Sequence, residues 1–176
     1  MKSKINFLAA FFILINIYSC GDELDDLLEI DVDTVLIENF NVQIEAGQNN
    51  TFNKSEVFNI SNKDTEKYLN SVKNLAIKKL TFKFENFTGD PAGILKGEFY
   101  ADDILLLKED ILVKTASDQS TIFEVTNTEL INQIATKLKA GNNVALGIKG
   151  TSSSSTAMNF DVEATISVVL TANLVN

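Results

Sequence analysis

Apolar and polar residues alternate with a period of two along much of the chain after residue 33. The longest alternating stretch places one apolar set on a single face: Phe160, Val162, Ala164, Ile166, Val168 and Leu170. Shorter alternating or apolar stretches, separated by turn residues, lie at 37–44, 52–60, 80–84, 94–100, 104–107, 111–113, 121–125 and 144–148. This period is typical of half-buried strands, and the long C-terminal strand is expected to be central in its sheet. The runs 104–107 and 111–113 fit a strand or a buried helix, and we favour strands because their neighbours are strands.

Two segments have helical spacing instead. Asp64 can cap the first predicted helix, whose apolar face consists of Tyr68, Leu69, Val72 and Leu75. The second is predicted to begin at the capping-box sequence 126–129 and to end before Gly141. Its apolar face consists of Leu130, Ile134 and Leu138. The low-complexity sequence 151–156 joins two strands and predicts a mobile loop.

Many short strands joined by turns, with two short helices that close the ends of the core, predict a mainly β fold. We expect an antiparallel β-sandwich of immunoglobulin-like architecture, formed by a single domain over residues 34–176. The chain has one cysteine and no tryptophan, so the cysteine pair and tryptophan of an antibody domain are missing. The likeness is therefore one of architecture only.

Residues 1–19 have a different pattern. Lys2 and Lys4 precede an apolar run at 7–15, which is too short to span a membrane and fits the apolar part of a secretory signal peptide. The tetrad Ile17-Tyr18-Ser19-Cys20 resembles the bacterial lipobox: an aliphatic, a variable and a small residue, then cysteine. The resemblance implies cleavage before Cys20, attachment of lipid to its sulfur and acylation of the new amino terminus. Because Cys20 is the only cysteine, it can form no disulfide within the chain.

The sequence after this cysteine is strongly acidic. Residues 21–33 carry seven acidic residues and no lysine. An acidic, solvated tether over residues 20–33, repelled by the anionic bilayer surface, explains this composition. The stretch also resembles the export signal of surface lipoproteins in Bacteroidota-type bacteria, and both interpretations stay open. Asp33-Thr34-Val35 resembles the O-glycosylation triplet of those bacteria, which implies Thr34 as a possible modification site.

Composition excludes several classes of activity. The chain has 24 acidic and 15 basic residues and a net charge of −9, which becomes −11 when Lys2 and Lys4 leave with the signal peptide. This charge argues against nucleic acid as a partner. The sequence contains no histidine and no arginine. Histidine-based triads, histidine-bearing zinc sites and bidentate phosphate clamps are therefore excluded. It also has no glycine-rich phosphate loop and no nucleophile-elbow motif, so we expect no cofactor.

Carboxylate pairs and tyrosines are the remaining candidates for chemistry. The adjacent acids Asp102-Asp103 and Glu109-Asp110 are interpreted as solvated turn residues. Calcium accepts oxygen ligands alone, and the pairs that could share an ion are Asp31 with Asp33, Asp102 with Asp103, and Asp161 with Glu163. None matches a calcium-loop pattern, so we expect no metal site. Tyr68 and Tyr100 could line a surface that binds sugar or peptide.

These observations predict a non-enzymatic protein of the bacterial envelope. The covalent lipid at Cys20 would attach it to its membrane partner, the outer membrane. The chain would then lie on the cell surface or face the periplasm. It would act as a binding or structural module, with an envelope protein or a glycan as its further partner. One alternative is a surface lipoprotein that captures carbohydrate or peptide through Tyr68 and Tyr100. Another is a hydrolase that uses carboxylates alone, which needs two opposed carboxyl groups in a cleft.

Overall fold

The computed structural model describes residues 29–47, 50–141 and 143–173. These residues form eight strands: β1 (Glu29–Ile44), β2 (Asn50–Phe58), β3 (Val72–Thr88), β4 (Ile94–Ala101), β5 (Ile104–Leu112), β6 (Ile122–Glu124), β7 (Val144–Ser152) and β8 (Met158–Asn173). They also form a 3-10 helix (Glu66–Ser71) and the helices α1 (Val113–Asp118) and α2 (Thr128–Lys139). The predicted signal peptide and Cys20 lie outside the described residues. None of the helices among the described residues combines the length and the apolar composition of a membrane span.

The strands form two four-stranded sheets, in the orders β1-β8-β3-β6 and β2-β7-β4-β5. Every pairing is antiparallel, and β1 pairs with β8, β2 with β7, β3 with β6 and β4 with β5. A long hairpin rolled up on itself has this connectivity, which is that of a jelly roll. The predicted antiparallel β-sandwich is therefore confirmed. Within that architecture the strand order is the jelly-roll order and differs from that of an immunoglobulin domain.

The core lies between the two sheets and is rich in phenylalanine. Strand β8 lies between β1 and β3, as its length predicted, and its apolar face is buried. Phe82, Phe84, Phe99 and Phe160 are all fully buried. The ring centroids of Phe82 and Phe99, which belong to opposite sheets, are 4.5 Å apart. Aromatic contacts between the sheets therefore add to the stabilisation that burial of apolar area provides.

The first predicted helix is shorter than its apolar spacing suggested. Only a 3-10 helix forms there, and Val72 and Leu75 belong to β3, opposite Ala172 and Leu170 of β8. Asp64 does not cap it, since the N-cap is Thr65 and no side chain makes a capping hydrogen bond. Two features of the structure explain the difference. Pairing with β8 extends β3 backwards, and a turn centred on Asn62 takes the place of a helix cap, because its side chain accepts from the amides of residues 64 and 65.

The second predicted helix is confirmed, with one change at its start. Asn127, not Thr126, caps α2, because its side-chain oxygen accepts from the amides of Glu129 and Leu130. Gly141 ends the helix as predicted, with φ +74° and its amide donated to the Leu138 carbonyl at 3.0 Å. Helix α1 was not predicted. It is only six residues long, too short to show a helical period, and its first residue ends the apolar run 111–113.

The serine-rich sequence 151–156 is a hydrogen-bonded connection, where a mobile loop was expected. Ser152 and Ser154 are each 1% exposed. The Ser154 hydroxyl donates to the Thr156 carbonyl at 2.6 Å, and the Ser153 amide donates to the Ile94 carbonyl at 2.9 Å. Short hydroxyl side chains satisfy the backbone groups of this turn locally, so low complexity in sequence does not mean a loose connection here.

The boundary between the acidic tether and the sandwich also differs from the prediction. Strand β1 includes residues 29–33, and Ile30 and Val32 lie opposite Ala172 and Leu170. These residues were assigned to the tether because of their acidic side chains. Alternation with apolar residues lets the acids project to solvent from a strand, so this part of the acidic stretch belongs to the sandwich.

Candidate functional site

The outer face of the sheet β2-β7-β4-β5 carries two rows of polar side chains. The first row, termed the first rung, consists of Asn53, Lys149, Glu98 and Lys108, which lie directly opposite one another across the four strands. The second rung lies two residues further along each strand and consists of Thr51, Thr151, Lys96 and Asp110. Residues directly opposite in a sheet share a face, and the neighbouring Phe99 and Ile148 are buried. Both rungs therefore face away from the core.

A shallow cavity of about 450 Å³ lies over these rungs and is termed the trough. Lys96, Lys108 and Lys149 line it together with Asn53, Glu98 and Thr151. A recess of about 200 Å³ adjoins the trough through Lys96 and Thr151 and extends to Ser153. This surface therefore combines three ammonium groups with hydroxyl, amide and carboxylate groups that can make hydrogen bonds.

Charge on this face is organised around one ion pair. The Lys108 ammonium donates to the Glu98 carboxylate at 2.7 Å. This hydrogen bond lowers the pKa of Glu98 below its usual range and raises that of Lys108. Glu98 therefore stays ionised near neutral pH. A general acid needs a raised pKa, so this carboxylate is better suited to accepting hydrogen bonds than to donating a proton.

Tyr100 contacts two residues that line the trough, Asn53 and Lys149, and is not an exposed platform. It is 8% exposed and lies opposite Gly147. Its hydroxyl donates to the Asn53 side-chain oxygen at 2.5 Å. The Lys149 ammonium lies 5.2 Å from the ring centroid, within the range of a cation–π contact. Tyr100 thus orients two residues of the first rung.

Tyr68 does not extend this surface. It is half-buried, packs against the core, and lies in the 3-10 helix with the Lys67 ammonium 4.7 Å from its ring centroid. An aromatic platform formed by the two tyrosines is therefore not present in the described part of the chain. The predicted capture of carbohydrate or peptide through these two rings therefore loses its support.

Gly147 leaves the space that Tyr100 occupies. A Cβ atom at this position would lie 2.7 Å from the Tyr100 hydroxyl oxygen and 2.7 Å from the Ser55 Cβ, and it would also press on the Lys54 carbonyl. We expect Gly147→Ala to lower the free energy of unfolding by about 1–3 kcal/mol, because overpacking forces the strands or the ring to move. Urea unfolding measures this loss. Ser55→Ala, on the same exposed face, is the control and should change stability by less than about 0.5 kcal/mol.

The carboxylate pairs singled out in the sequence do not meet in a cleft. Asp102 forms an ion pair with Lys137 and accepts from the Ala145 amide at 3.0 Å. Burial tends to raise the pKa of Asp102, but the hydrogen bonds from Lys137 and Ala145 outweigh it and hold the value below the usual range. Asp102-Asp103 does form a turn, whereas Glu109-Asp110 lies within strand β5. Among the described residues, no group of three carboxylates could hold a metal ion.

Asp161, a calcium candidate in the sequence, is held by amide groups instead. Its two carboxylate oxygens accept from the side-chain amides of Asn41 and Asn86, each at 2.8 Å. Asn86 reaches it from an irregular part of β3, where its φ is +53°. These hydrogen bonds, of which the one from Asn41 has the larger effect, lower the pKa of Asp161 because they favour the charged form.

A pH dependence follows from the lowered pKa of Asp161. The ionised group stabilises the folded state above its unfolded pKa of about 3.9, and this contribution is lost as pH falls through the lower folded value. We expect Asp161→Asn to be less stable than the parent protein at pH 6 and to differ less from it at pH 3. Urea unfolding at both pH values measures the difference. Asp103→Asn removes the same charge at an exposed position and should show no such convergence, and an unchanging deficit in Asp161→Asn would contradict the explanation.

The structure describes one of the two modification sites predicted from the sequence. Cys20 lies outside the described residues. Thr34 is 6% exposed, and its hydroxyl accepts from the Asn62 side-chain amide at 3.0 Å. A glycan on this hydroxyl would require the Asn62 turn to move, so burial weighs against modification of the folded chain. Glycosylation of Thr34 stays a prediction.

The trough was not recognised in the sequence. Its lysines come from β4, β5 and β7, and each is one exposed residue in an alternating strand. Alternation indicates that such residues face solvent, but it does not indicate which strands are neighbours. Only the register across four strands brings them onto one face.

The fold and the trough thus define a jelly-roll β-sandwich with a polar, lysine-lined outer face. No protein-family model matches the sequence, and no curated protein matches it significantly. Among solved structures, the chain is similar to the BFDV capsid protein in its decameric form, with 10% identity and a TM-score of 0.45 over 80% of this chain and 99% of that one. The 60-mer form of that protein has 7% identity and a TM-score of 0.40, over 85% and 97% of the two chains. Desmodium yellow mottle tymovirus has 12% identity and a TM-score of 0.36, over 82% and 84%.

Proposed function

We propose that this protein is a lipid-anchored module of the bacterial outer membrane that binds an envelope or extracellular ligand through the trough, without catalysing a reaction. The anchor rests on the lipobox-like tetrad that ends at Cys20. The binding role rests on one observation, the gathering of Lys96, Lys108 and Lys149 along one cavity in a strongly acidic chain. In this proposal the lipid holds the domain at the membrane, and the trough faces the ligand.

A binding role accounts for the trough better than hydrolysis does. Hydrolysis by carboxylates needs one acid with a raised pKa and a second carboxylate opposed to it. Glu98 has a lowered pKa because of its hydrogen bond with Lys108. Asp110 lies opposite Lys96 at an exposed position on the neighbouring strand. Each carboxylate thus has a lysine as its cross-strand neighbour, and the two carboxylates do not oppose each other across a cleft.

The anchor is tested by mass spectrometry of the mature protein from membranes, together with protease treatment of intact cells. We expect a chain that begins at Cys20, carries lipid on its sulfur and is acylated at its amino terminus. Digestion in intact cells indicates a location on the cell surface, and protection until the outer membrane is opened indicates a periplasm-facing location. An unmodified thiol at residue 20 with the leader still attached would rule out the proposed anchor.

A further inference from the structure

The three lysines of the trough, with Glu98 paired to Lys108 and Asp110 opposite Lys96, point to the chemistry of its ligand. The chain as a whole is acidic, yet lysine side chains from three adjacent strands line this one cavity. Building on the proposed binding function, we infer that the trough binds an acidic polysaccharide, whose carboxylates lie against Lys96, Lys108 and Lys149. Charge complementarity with the lysines is the main source of affinity.

The spacing of the lysines fits anions distributed along an extended ligand. Lys149 and Lys108 flank Glu98 in the first rung, so their Cα atoms lie about 10 Å apart, at about 4.8 Å per strand. Lys96 lies two residues along β4 from Glu98, a rise of about 7 Å. The Lys108 ammonium is held on Glu98 and the Lys149 ammonium lies over the Tyr100 ring, so these groups do not converge on a single small anion. They match a chain that carries repeated negative charges.

Because of Glu98, a sugar acid fits the trough better than a simple polyanion does. It lies between two lysines and stays ionised, so a ligand with only negative groups would be repelled at this point. A sugar acid carries hydroxyl groups beside each carboxylate. Its hydroxyls can donate to Glu98, and its carboxylates can accept from Lys149 and Lys108. Lysine binds as a point charge, which suits such single contacts.

The position of the trough favours a glycan over an acidic peptide. An extended peptide usually binds by adding to the edge of a sheet, where main-chain hydrogen bonds supply affinity. The trough lies across the face of the sheet, where the backbone groups of β4 and β7 are already paired on both sides. The buried ring of Tyr100 offers no open stacking surface for neutral sugars. Affinity should therefore depend on charge and weaken as salt rises, because exposed charges are screened.

Binding of polygalacturonate to the full, lipid-bearing protein in detergent tests this inference. The parent protein is compared by calorimetry with the triple variant Lys96→Gln, Lys108→Gln, Lys149→Gln. The matched control replaces three exposed lysines elsewhere: Lys63, Lys78 and Lys139. The two triple variants lose the same charge, and thermal unfolding checks that both are folded. Dextran serves as a neutral glycan and poly-glutamate as an acidic peptide.

We expect the trough variant to bind polygalacturonate at least about tenfold more weakly than the parent, because three ionic contacts are lost. The control variant should bind like the parent. Dextran and poly-glutamate should bind more weakly than polygalacturonate. Equal losses in both triple variants would overturn the inference, because they would indicate unspecific attraction. So would failure of the parent to bind polygalacturonate, or equally tight binding of poly-glutamate. The lipid and location measurements are independent of these outcomes, so the ligand class and the anchor can fail separately.

Discussion

Replacement of Phe84 by alanine is expected to lower the free energy of unfolding by about 3–5 kcal/mol. Phe84 is fully buried, and its ring centroid lies 5.4 Å from that of Phe160, 5.5 Å from that of Phe123 and 6.2 Å from that of Phe99. Removing the ring leaves a cavity between the two sheets and ends three aromatic contacts at once. Urea unfolding, monitored by circular dichroism, measures the loss of stability.

Phe87 on the same strand provides the matched control for this prediction. It is half-buried and packs only at the margin of the core. Phe87→Ala removes the same atoms, but we expect it to cost about 1–2 kcal/mol, because less apolar area is lost and solvent fills the space. A cost below about 1 kcal/mol for Phe84→Ala, or equal costs for the two variants, would contradict the position assigned to Phe84 at the centre of the sandwich.

Replacement of Cys20 by alanine is expected to move nearly all of the protein from the membrane fraction to the soluble fraction. Without the thiol no lipid can be attached. Each methylene buried in the bilayer contributes about 0.8 kcal/mol, so several acyl chains together account for firm anchoring. Cell fractionation with immunoblotting measures the distribution, and loss of lipid labelling accompanies it.

Asp22→Asn is the control for this experiment because it changes the adjacent acidic segment and leaves the cysteine intact. Its membrane fraction should equal that of the parent protein. Retention of Cys20→Ala in the membrane would show that something other than the lipid holds the chain there. If Asp22→Asn stays lipidated but its exposure to protease in intact cells changes, the acidic segment acts as an export address and not only as a tether.

The spacing of apolar residues predicted the structure correctly where a single strand or helix determines it without its neighbours. The alternation in β8 predicted its buried face, and the spacing of Leu130, Ile134 and Leu138 predicted α2. Prediction was wrong where a partner strand or a local turn competes with the pattern. Val72 and Leu75 fit a helical face, but pairing with β8 places them in β3. Helix α1 and the ordered turn around Ser154 depend on contacts that spacing does not reveal.

The sequence by itself determined the mainly β sandwich, its antiparallel pairing and the central position of β8, because these follow from side-chain period and short connections. It also excluded histidine-based and arginine-based chemistry, since composition does not depend on folding. Only the tertiary structure decided the jelly-roll order, the burial of Tyr100 and Thr34, and the gathering of Lys96, Lys108 and Lys149 in the trough. The physical reason is that alternation specifies which way a side chain points, whereas strand order and register specify which side chains become neighbours.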